Sequence, residues 1–226
     1  MDYKNIHFLG TSHIAKQSYN EVQSYILDNK PEVVALELDK NRMYALMHDS
    51  KKSYHGLGAI RKVGVKGYFF SLIGAWAEKK LGELTGFTPG SEMKHAVNLA
   101  KSNHLKIVLI DQDIEITLGR LSKYLTWKEK LNFLMDVLKA FISRKREFEF
   151  DLSSVPDKKI IKKLISQLKS RYPNVYNVLI KERNRHMFRI LKRLSEENPD
   201  KKILAVIGAG HVDDIIEMLK SNSDAV

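Results

Sequence analysis

The sequence predicts an α/β fold with a mostly parallel central sheet, helices packed on it, and a large helical insertion before the last strand. Four short apolar runs rich in β-branched residues have the length of buried strands; they lie at residues 6–9, 33–38, 107–110 and 203–207. The first, second and fourth runs are followed by apolar residues at helical spacing. This alternation is typical of a parallel sheet with crossover helices.

The helical patterns after these runs predict where the first, second and last helices lie. Their apolar stripes are Ile14, Val22, Tyr25 and Ile26; Met43, Leu46 and Met47; and Val212, Ile215, Ile216 and Leu219. Between the second and third strands, a glycine-rich segment precedes a predicted apolar helix over about residues 65–81. A Gly-Phe-Thr-Pro-Gly turn at residues 86–90 follows, and a further helix begins at Ser91.

The segment between the last two strands predicts three helices in series, at residues 126–145, 156–170 and 173–197. Thr126, Pro173 and the polar residues 151–154 supply cap and start signals. Helical insertions of α/β enzymes often cover pockets. We therefore expect lid-like segments at about residues 55–103 and 126–197 within a single domain that spans residues 1–226.

Composition limits the chemistry that this chain can perform. The 226 residues include 38 Lys+Arg against 27 Asp+Glu, for a net charge of +11, and no cysteine. The lack of cysteine excludes disulfides, thiol nucleophiles and cysteine-ligated metals, so a metal must be held by histidine and carboxylates. The longest apolar run, residues 68–77, has about half the length of a bilayer crossing, so we expect a soluble chain.

The positive charge follows helical stretches in which lysine alternates with apolar residues, as at residues 158–169 and 181–193. Such alternation is typical of solvated helix faces. Since the chain also has no recognisable nucleic-acid-binding motif, we expect no nucleic-acid partner. The apolar face at residues 68–76 is a candidate surface for a homodimer.

Polar side chains cluster directly after the predicted strands. Gly10-Thr11-Ser12-His13 follows the first strand and Gly208-Ala209-Gly210-His211 follows the last. The second strand ends at Glu37 with Arg42 shortly after it, and the third is followed by Asp111 and Asp113. Because the carboxyl ends of parallel strands form one ligand-binding edge, we expect these groups to converge if the strands are parallel neighbours.

The chemistry of these residues suits a metal site. Both histidines occur as Gly-x-x-His after a strand, and two imidazoles with a carboxylate make a reasonable set of ligands for Mn, Co, Zn or Fe. Glu37 can complete that set or act as general base toward a metal-bound water. Arg42 can orient a carboxylate or stabilise an oxyanion.

Structural roles are the alternatives for the same residues. A histidine after a strand is often a turn residue, Glu37 can cap the next helix, and Arg42 can pair with Asp39. Asp111 and Asp113 can form Asx turns. The repetition of Gly-x-x-His at equivalent strand ends favours a functional site over these structural roles. A dinucleotide site has little support, because Asp213 stands where its third glycine would be.

Six ordered blocks carry a resemblance that runs almost end to end. They are LGTSH at residues 9–13, VVALELD at 33–39 followed by Arg42, PGSEM at 89–93, LIDQDI at 109–114 leading to Thr117 and Arg120, KERN at 181–184, and VIGAGHV at 206–212. With these blocks the chain resembles the TraB/PrgY family. That family is similar to the Tiki metalloproteases and, more remotely, to erythromycin-esterase-like and ChaN-like proteins.

The resemblance implies a metal-dependent, hydrolase-like site in which a divalent metal, Mn or Co rather than Zn, is expected. The metal ligands carried over are His13, His211 and Glu37; the catalytic candidates are Glu37, Arg42, Glu92 and Arg183; and Asp111, Asp113 and Glu182 form a second tier. Many microbial members continue into a membrane-spanning region. We therefore expect this chain to be either a soluble member of the family or the soluble domain of an anchored protein. In either case we expect contact with a membrane only through a region absent from this chain.

Two functions from different classes follow. The leading hypothesis is a metal-dependent peptidase that acts on short peptides, in keeping with the link of plasmid-borne members to the shutdown of peptide pheromone. The alternative is a non-catalytic protein that binds or sequesters a peptide or small ligand, with Arg42 and Arg183 gripping a carboxylate.

Overall fold

The computed structural model describes residues 1–11, 16–48, 90–142 and 158–223. Its sheet contains β1 (Asp2–Tyr3), β2 (Ile6–Thr11), β3 (Val33–Leu36), β4 (Lys106–Leu109) and β5 (Ile203–Gly208). The strand order is β1-β2-β5-β3-β4, with β1 antiparallel to β2 and every other pair parallel. The predicted α/β class and the predicted parallel strands are confirmed. The short edge strand β1 was not predicted.

Nine α-helices occur in the described ranges. They are α1 (Lys16–Asn29), α2 (Lys40–Met47), α3 (Ser91–Ser102), α4 (Ile114–Tyr124), α5 (Trp127–Ile142), α6 (Lys158–Arg171), α7 (Pro173–Tyr176), α8 (Arg183–Glu197) and α9 (Ala209–Ser223). A π-helical turn, Asn177–Glu182, joins α7 to α8. Helix α4 follows the third predicted strand, where no helix was predicted. The predicted helix at residues 65–81 and the candidate dimer face at 68–76 lie outside the described residues.

The sheet lies between two helical layers. One face packs against α1 and α3, and the other packs against α8 and α9. The residues of strand β5 are nearly all apolar because its side chains are buried on both faces of the sheet. Ile203, Ala205 and Ile207 enter one core, whereas Leu204 and Val206 enter the other. A strand buried on both faces needs a continuous apolar run rather than an alternating one.

Both predicted lid-like segments contribute helices to this core. Helix α3 buries Met93, Ala96 and Val97 against the sheet, and α8 buries Met187 and Leu191 on the opposite face. Helix α6, in contrast, has no buried residue. The insertion therefore supplies one core layer, formed by α8, and one outer wall, formed by α6.

The order of the strands opens a crevice at their carboxyl ends. The chain leaves β2 and β3 toward helices on one face, but it leaves the intervening β5 toward α9 on the other. Ligands of open parallel sheets bind where neighbouring connections diverge in this way. At Gly10, an added Cβ would lie 3.3 Å from the Cα of Ala209, so glycine permits this close approach of β2 to the start of α9.

Across the helices in the described ranges, none combines the length and apolar character needed to cross a membrane.

Candidate functional site

Glu37 lies at the centre of the crevice, directly after β3. Its side chain is 3% exposed. The backbone N–H of Glu37 donates to the carbonyl of Val206 at 3.1 Å, which continues the pairing of β3 with β5. Its Oε2 atom accepts a hydrogen bond from the backbone N–H of Gly208 at 2.5 Å. The last residue of β5 therefore holds this buried carboxylate in place.

Arg183 links the ends of β3 and β4. Its Nε and Nη2 atoms donate to the two carboxylate oxygens of Asp111 at 2.9 and 2.7 Å, and Nη2 also donates to Oε1 of Glu37. Its Nη1 atom donates to the carbonyl of Leu179 at 3.2 Å, within the π-helical turn. Burial alone would lower the pKa of Arg183, but Glu37 and Asp111 raise it, so the guanidinium stays charged.

The carboxylate of Asp111 accepts hydrogen bonds from both arginines of the crevice, Arg42 and Arg183. Its side chain is 1% exposed, and Arg42 Nη2 donates to the Oδ2 atom that also accepts from Arg183. The backbone N–H of Gln112 donates to Oδ1 at 2.7 Å. Burial raises the pKa of Asp111, but the hydrogen bonds and charges of Arg183, the charge of Arg42 and the Gln112 N–H outweigh burial and lower it to about 2.

The lowered pKa of Asp111 predicts a loss of stability in acid. The ionised form stabilises the fold above the ordinary pKa of 3.8, and this contribution fades as the pH falls toward the folded-state value of about 2. The full contribution is about 2 kcal/mol, of which about 1 kcal/mol is lost between pH 6 and pH 3. Urea unfolding of the parent and of Asp111→Asn at both pH values measures this difference. An equal change in both proteins would contradict the assignment.

Arg42 makes the predicted pair with Asp39 and a further contact with Asp111. Asp39 is the N-cap of α2, and its Oδ1 accepts the backbone N–H groups of Asn41 and Arg42 at 2.8 and 3.0 Å. The Nε atom of Arg42 donates to Asp39 Oδ2 at 2.7 Å. The Arg42 side chain is 33% exposed, and its Nη1 atom donates to no residue in the described ranges. Arg42 therefore retains donors that can face a ligand.

His211 reaches the same crevice from the first turn of α9. Its Nε2 atom lies 3.6 Å from Glu37 Oε1 and 3.4 Å from Arg183 Nη1. Its Nδ1 atom lies 2.5 Å from Oδ1 of Asn184, a residue buried in the first turn of α8. Asn184 Nδ2 in turn donates to Asp214 Oδ2 at 3.0 Å. Two helices thus hold the imidazole ring.

These partners assign the tautomer of His211. Because the amide nitrogen of Asn184 donates to Asp214, its carbonyl oxygen is the atom that faces His211. A carbonyl oxygen only accepts, so Nδ1 of His211 carries the proton and donates it. The Nη1 atom of Arg183, which can only donate, lies 3.4 Å from Nε2, so Nε2 is the unprotonated nitrogen and its lone pair faces Arg183, beside Glu37.

Other predicted site residues lie elsewhere or outside the described ranges. Asp113 is the N-cap of α4, accepting from the backbone N–H of Glu115 at 2.7 Å. Glu182 accepts from Arg120 Nε and Nη2 at 2.5 and 2.7 Å. Glu92 is buried in the first turn of α3, and among the described contacts no hydrogen bond joins it to Glu37, Asp111, Arg183 or His211. His13 lies outside the described residues.

Two residues of this arrangement were not predicted. Asn184 stands next to Arg183 in the KERN block, and Asp214 follows His211 by three residues on α9. Residues three apart share a helix face, which is the sequence signal that could have placed Asp214 near His211. No local pattern could have joined Asn184 to His211, since they belong to different helices.

Few side chains in the described part of the crevice are placed to act as metal ligands. Glu37 and His211 form a close pair, but across residues 1–11, 16–48, 90–142 and 158–223 no group of three or more His, Asp or Glu side chains is placed to hold a metal ion. Asp111 is nearby but is held by the two arginines.

Comparison with known proteins confirms the family resemblance identified in the sequence. The sequence profile of the TraB/PrgY/gumN family matches residues 2–223. The chain belongs to this family. An uncharacterised protein of Methanocaldococcus jannaschii is 38% identical over 218 residues, which cover 96% of this chain and 53% of that protein.

More distant relatives carry the domain in animals. TraB domain-containing proteins of mouse and cattle are 23% and 25% identical over 234 and 236 residues, covering 93% of this chain and 61% of each relative. The chain thus spans roughly half to three-fifths of the length of these relatives.

Proposed function

We propose that the crevice is the active site of a metal-dependent hydrolase that cleaves short peptides. One observation carries the proposal: the lone pair of His211 Nε2 and the carboxylate of Glu37 lie 3.6 Å apart at the carboxyl edge of the sheet. Catalytic sites of open parallel sheets lie at this edge. The TraB relatives are longer than this chain, and the proposal concerns only the domain that they share with it.

The residues present fit a divalent metal with nitrogen and oxygen ligands. His211 offers a neutral Nε2 while its Nδ1 donates to Asn184, and histidine ligands of metals are usually oriented by such a hydrogen bond. Two ligands at metal distances of about 2.0–2.2 Å and a tetrahedral angle lie roughly 3.4 Å apart, close to the measured separation of His211 and Glu37. His13, by its Gly-x-x-His motif, is the proposed third ligand.

Charged side chains surround Glu37 in the crevice. Glu37, Asp39 and Asp111 carry three negative charges, whereas Arg42 and Arg183 carry two positive ones. A metal bound there would polarise a carbonyl and lower the pKa of a bound water.

Within this proposal, Arg183 is a positioning residue and Arg42 faces the substrate. The contacts of Arg183 are with Asp111, Glu37, Leu179 and His211, so it holds Glu37 in place. Arg42 keeps partly exposed donors and can stabilise negative charge on a carbonyl oxygen. The binding-only alternative, with both arginines gripping a ligand, has less support because Arg183 is engaged within the protein.

Replacing Glu37 tests the proposal. We expect the parent, loaded with Mn, Co or Zn, to shorten members of a defined peptide mixture, as seen by mass spectrometry, and Glu37→Gln to reduce the rate by about 10²–10⁴-fold. The substitution keeps the shape of the side chain and an oxygen for the Gly208 N–H. The matched control is Glu129→Gln, since Glu129 is also buried but caps α5 and accepts from Thr126 and Asn174.

Two outcomes would contradict the proposal. Hydrolysis that is unchanged in Glu37→Gln would show that the crevice is not the catalytic site. If the protein binds peptides both with and without EDTA but shortens none of them with any metal, the result would favour a non-catalytic, peptide-binding protein instead.

A further inference from the structure

A cavity of about 380 Å³ lies at the start of α9, the helix that carries His211. It lies between α6 and the start of α9, and its lining includes Gly10 from β2 and Gly210, the residue before His211. Its volume is at the lower end of the range of about 300–1,000 Å³ found for small-ligand sites. The cavity is therefore large enough for a small ligand or the end of a peptide.

One face of α6 forms the wall of this cavity. The cavity is lined by Lys158, Ile161, Lys162, Ile165 and Lys169. Each of these residues lies three or four positions from another of the set, so they share one side of the helix. Ile161 and Ile165 supply an apolar surface, and Ile165 Cδ1 would lie 3.6 Å from a Cβ added at Gly210. The lysines lie along the same wall, which is therefore apolar and basic together.

The charges of the lining favour an anionic occupant. Lys158 and Lys162 lie 3.5 and 3.3 Å from the carboxylate of Asp213, and Asp214 accepts from Asn184 outside the wall. Lys169 lies 5.7 Å from the centre of the Tyr176 ring. Three ammonium groups thus face two carboxylates, and the amino-terminal end of α9 adds partial positive charge. This excess of one positive side chain favours a ligand with a negative charge.

The cavity and the crevice share the start of α9. Gly210 lines the cavity and His211 faces Glu37, while Asp214 lines the cavity and supports His211 through Asn184. A ligand in the cavity would therefore lie beside Gly210, the residue before the proposed metal ligand His211.

We propose that this cavity binds the end of the substrate that carries an apolar group and a free carboxylate, with the apolar group between Ile161, Ile165 and Val212 and the carboxylate beside the lysines. This assignment rests on the proposed function, since it names the substrate of the same site. The carboxyl-terminal residue of a peptide and a free aliphatic acid share this chemistry.

An NMR titration that reads binding without turnover tests the assignment. The methyl groups of Ile161 and Ile165 are followed while N-acetyl-Leu-Phe, its carboxamide or octanoate is added to the full chain. We expect saturable methyl shifts with N-acetyl-Leu-Phe and about tenfold weaker binding of the carboxamide. Octanoate that binds as tightly as the peptide would identify a free acid as the source, and weaker binding would identify a peptide terminus.

Matched charge reversals on α6 complete the test. Lys162→Glu with Lys169→Glu should weaken binding of N-acetyl-Leu-Phe by about tenfold. The control, Lys159→Glu with Lys163→Glu, makes the same change in net charge at two lysines of α6 that do not line the cavity. It should shift the affinity by less than about twofold. These variants are expected to fold because no residue of α6 is buried.

The assignment is overturned by absent methyl shifts, by equal affinities for the acid and the carboxamide, or by equal losses in the two double variants. Its failure is separate from that of the proposed function. Peptide hydrolysis that depends on Glu37 without binding in the cavity would leave the hydrolase standing, whereas binding without hydrolysis would leave only the cavity assignment.

Discussion

Replacing Arg183 with Met is expected to lower the free energy of unfolding by about 3–5 kcal/mol, because it leaves buried charges without their partner. Glu37 and Asp111 are 3% and 1% exposed in their side chains, and Arg183 contacts both carboxylates. Met retains much of the side-chain volume, so the loss comes from charge and hydrogen bonding rather than from a large cavity. Urea unfolding at neutral pH measures the change.

The control for this variant is Arg120→Met on α4. Arg120 also makes a two-pronged contact with a carboxylate, that of Glu182, but its side chain is 43% exposed. Exposed ion pairs contribute little, so we expect a loss below about 1 kcal/mol. Similar losses for the two variants would contradict the view that Arg183 balances a buried charge cluster.

Replacing Asn184 with Leu is expected to change which nitrogen of His211 carries the proton. In the parent, the amide of Asn184 accepts from Nδ1–H and donates to Asp214, while Arg183 Nη1 donates toward Nε2, so Nε2 is unprotonated. Leu has a similar size but offers no acceptor. A ¹H–¹⁵N correlation spectrum of the histidine rings should show the Nδ1–H form of His211 in the parent and its loss in the variant.

The same substitution bears on metal binding. Loss of the hydrogen bond that orients a histidine ligand commonly weakens metal affinity by about 10–100-fold, and we expect a loss of that size for Asn184→Leu. Asn177→Leu is the matched control, since Asn177 lies in the π-helical turn before α8 and donates to Glu182 instead. A parent spectrum with the proton on Nε2 would contradict the tautomer assignment, whatever the metal affinity.

Much of the fold could be predicted because burial leaves a local signature. The runs at residues 33–36 and 203–207 are apolar throughout because β3 and β5 are covered on both faces. The order of the strands in the sheet could not be predicted from local sequence patterns. Strand β5 lies between β2 and β3 although it is the last in sequence, and only packing of the whole chain determines that insertion.

The site was predictable where its residues follow strands, as Glu37, Asp111 and His211 do. Their convergence required only that the strands be parallel neighbours, which the pairing confirms. Arg183 is different, because it lies 146 residues from Glu37 in a helix and enters the crevice through the fold of the insertion. The resemblance named it, but its role in balancing Glu37 and Asp111 emerges only from the contacts.

The central claim is that the crevice holds a metal, and metal analysis by mass spectrometry tests it most directly. The parent is measured as purified and after loading with Mn, Co or Zn, beside a variant carrying His13→Ala and His211→Ala. A second double variant, His48→Ala with His104→Ala, removes two histidines that do not follow strands. We predict about one metal ion per chain in the parent and the control, and none in the first double variant. A parent that binds no metal under any loading, or a first double variant that retains it, would contradict the account.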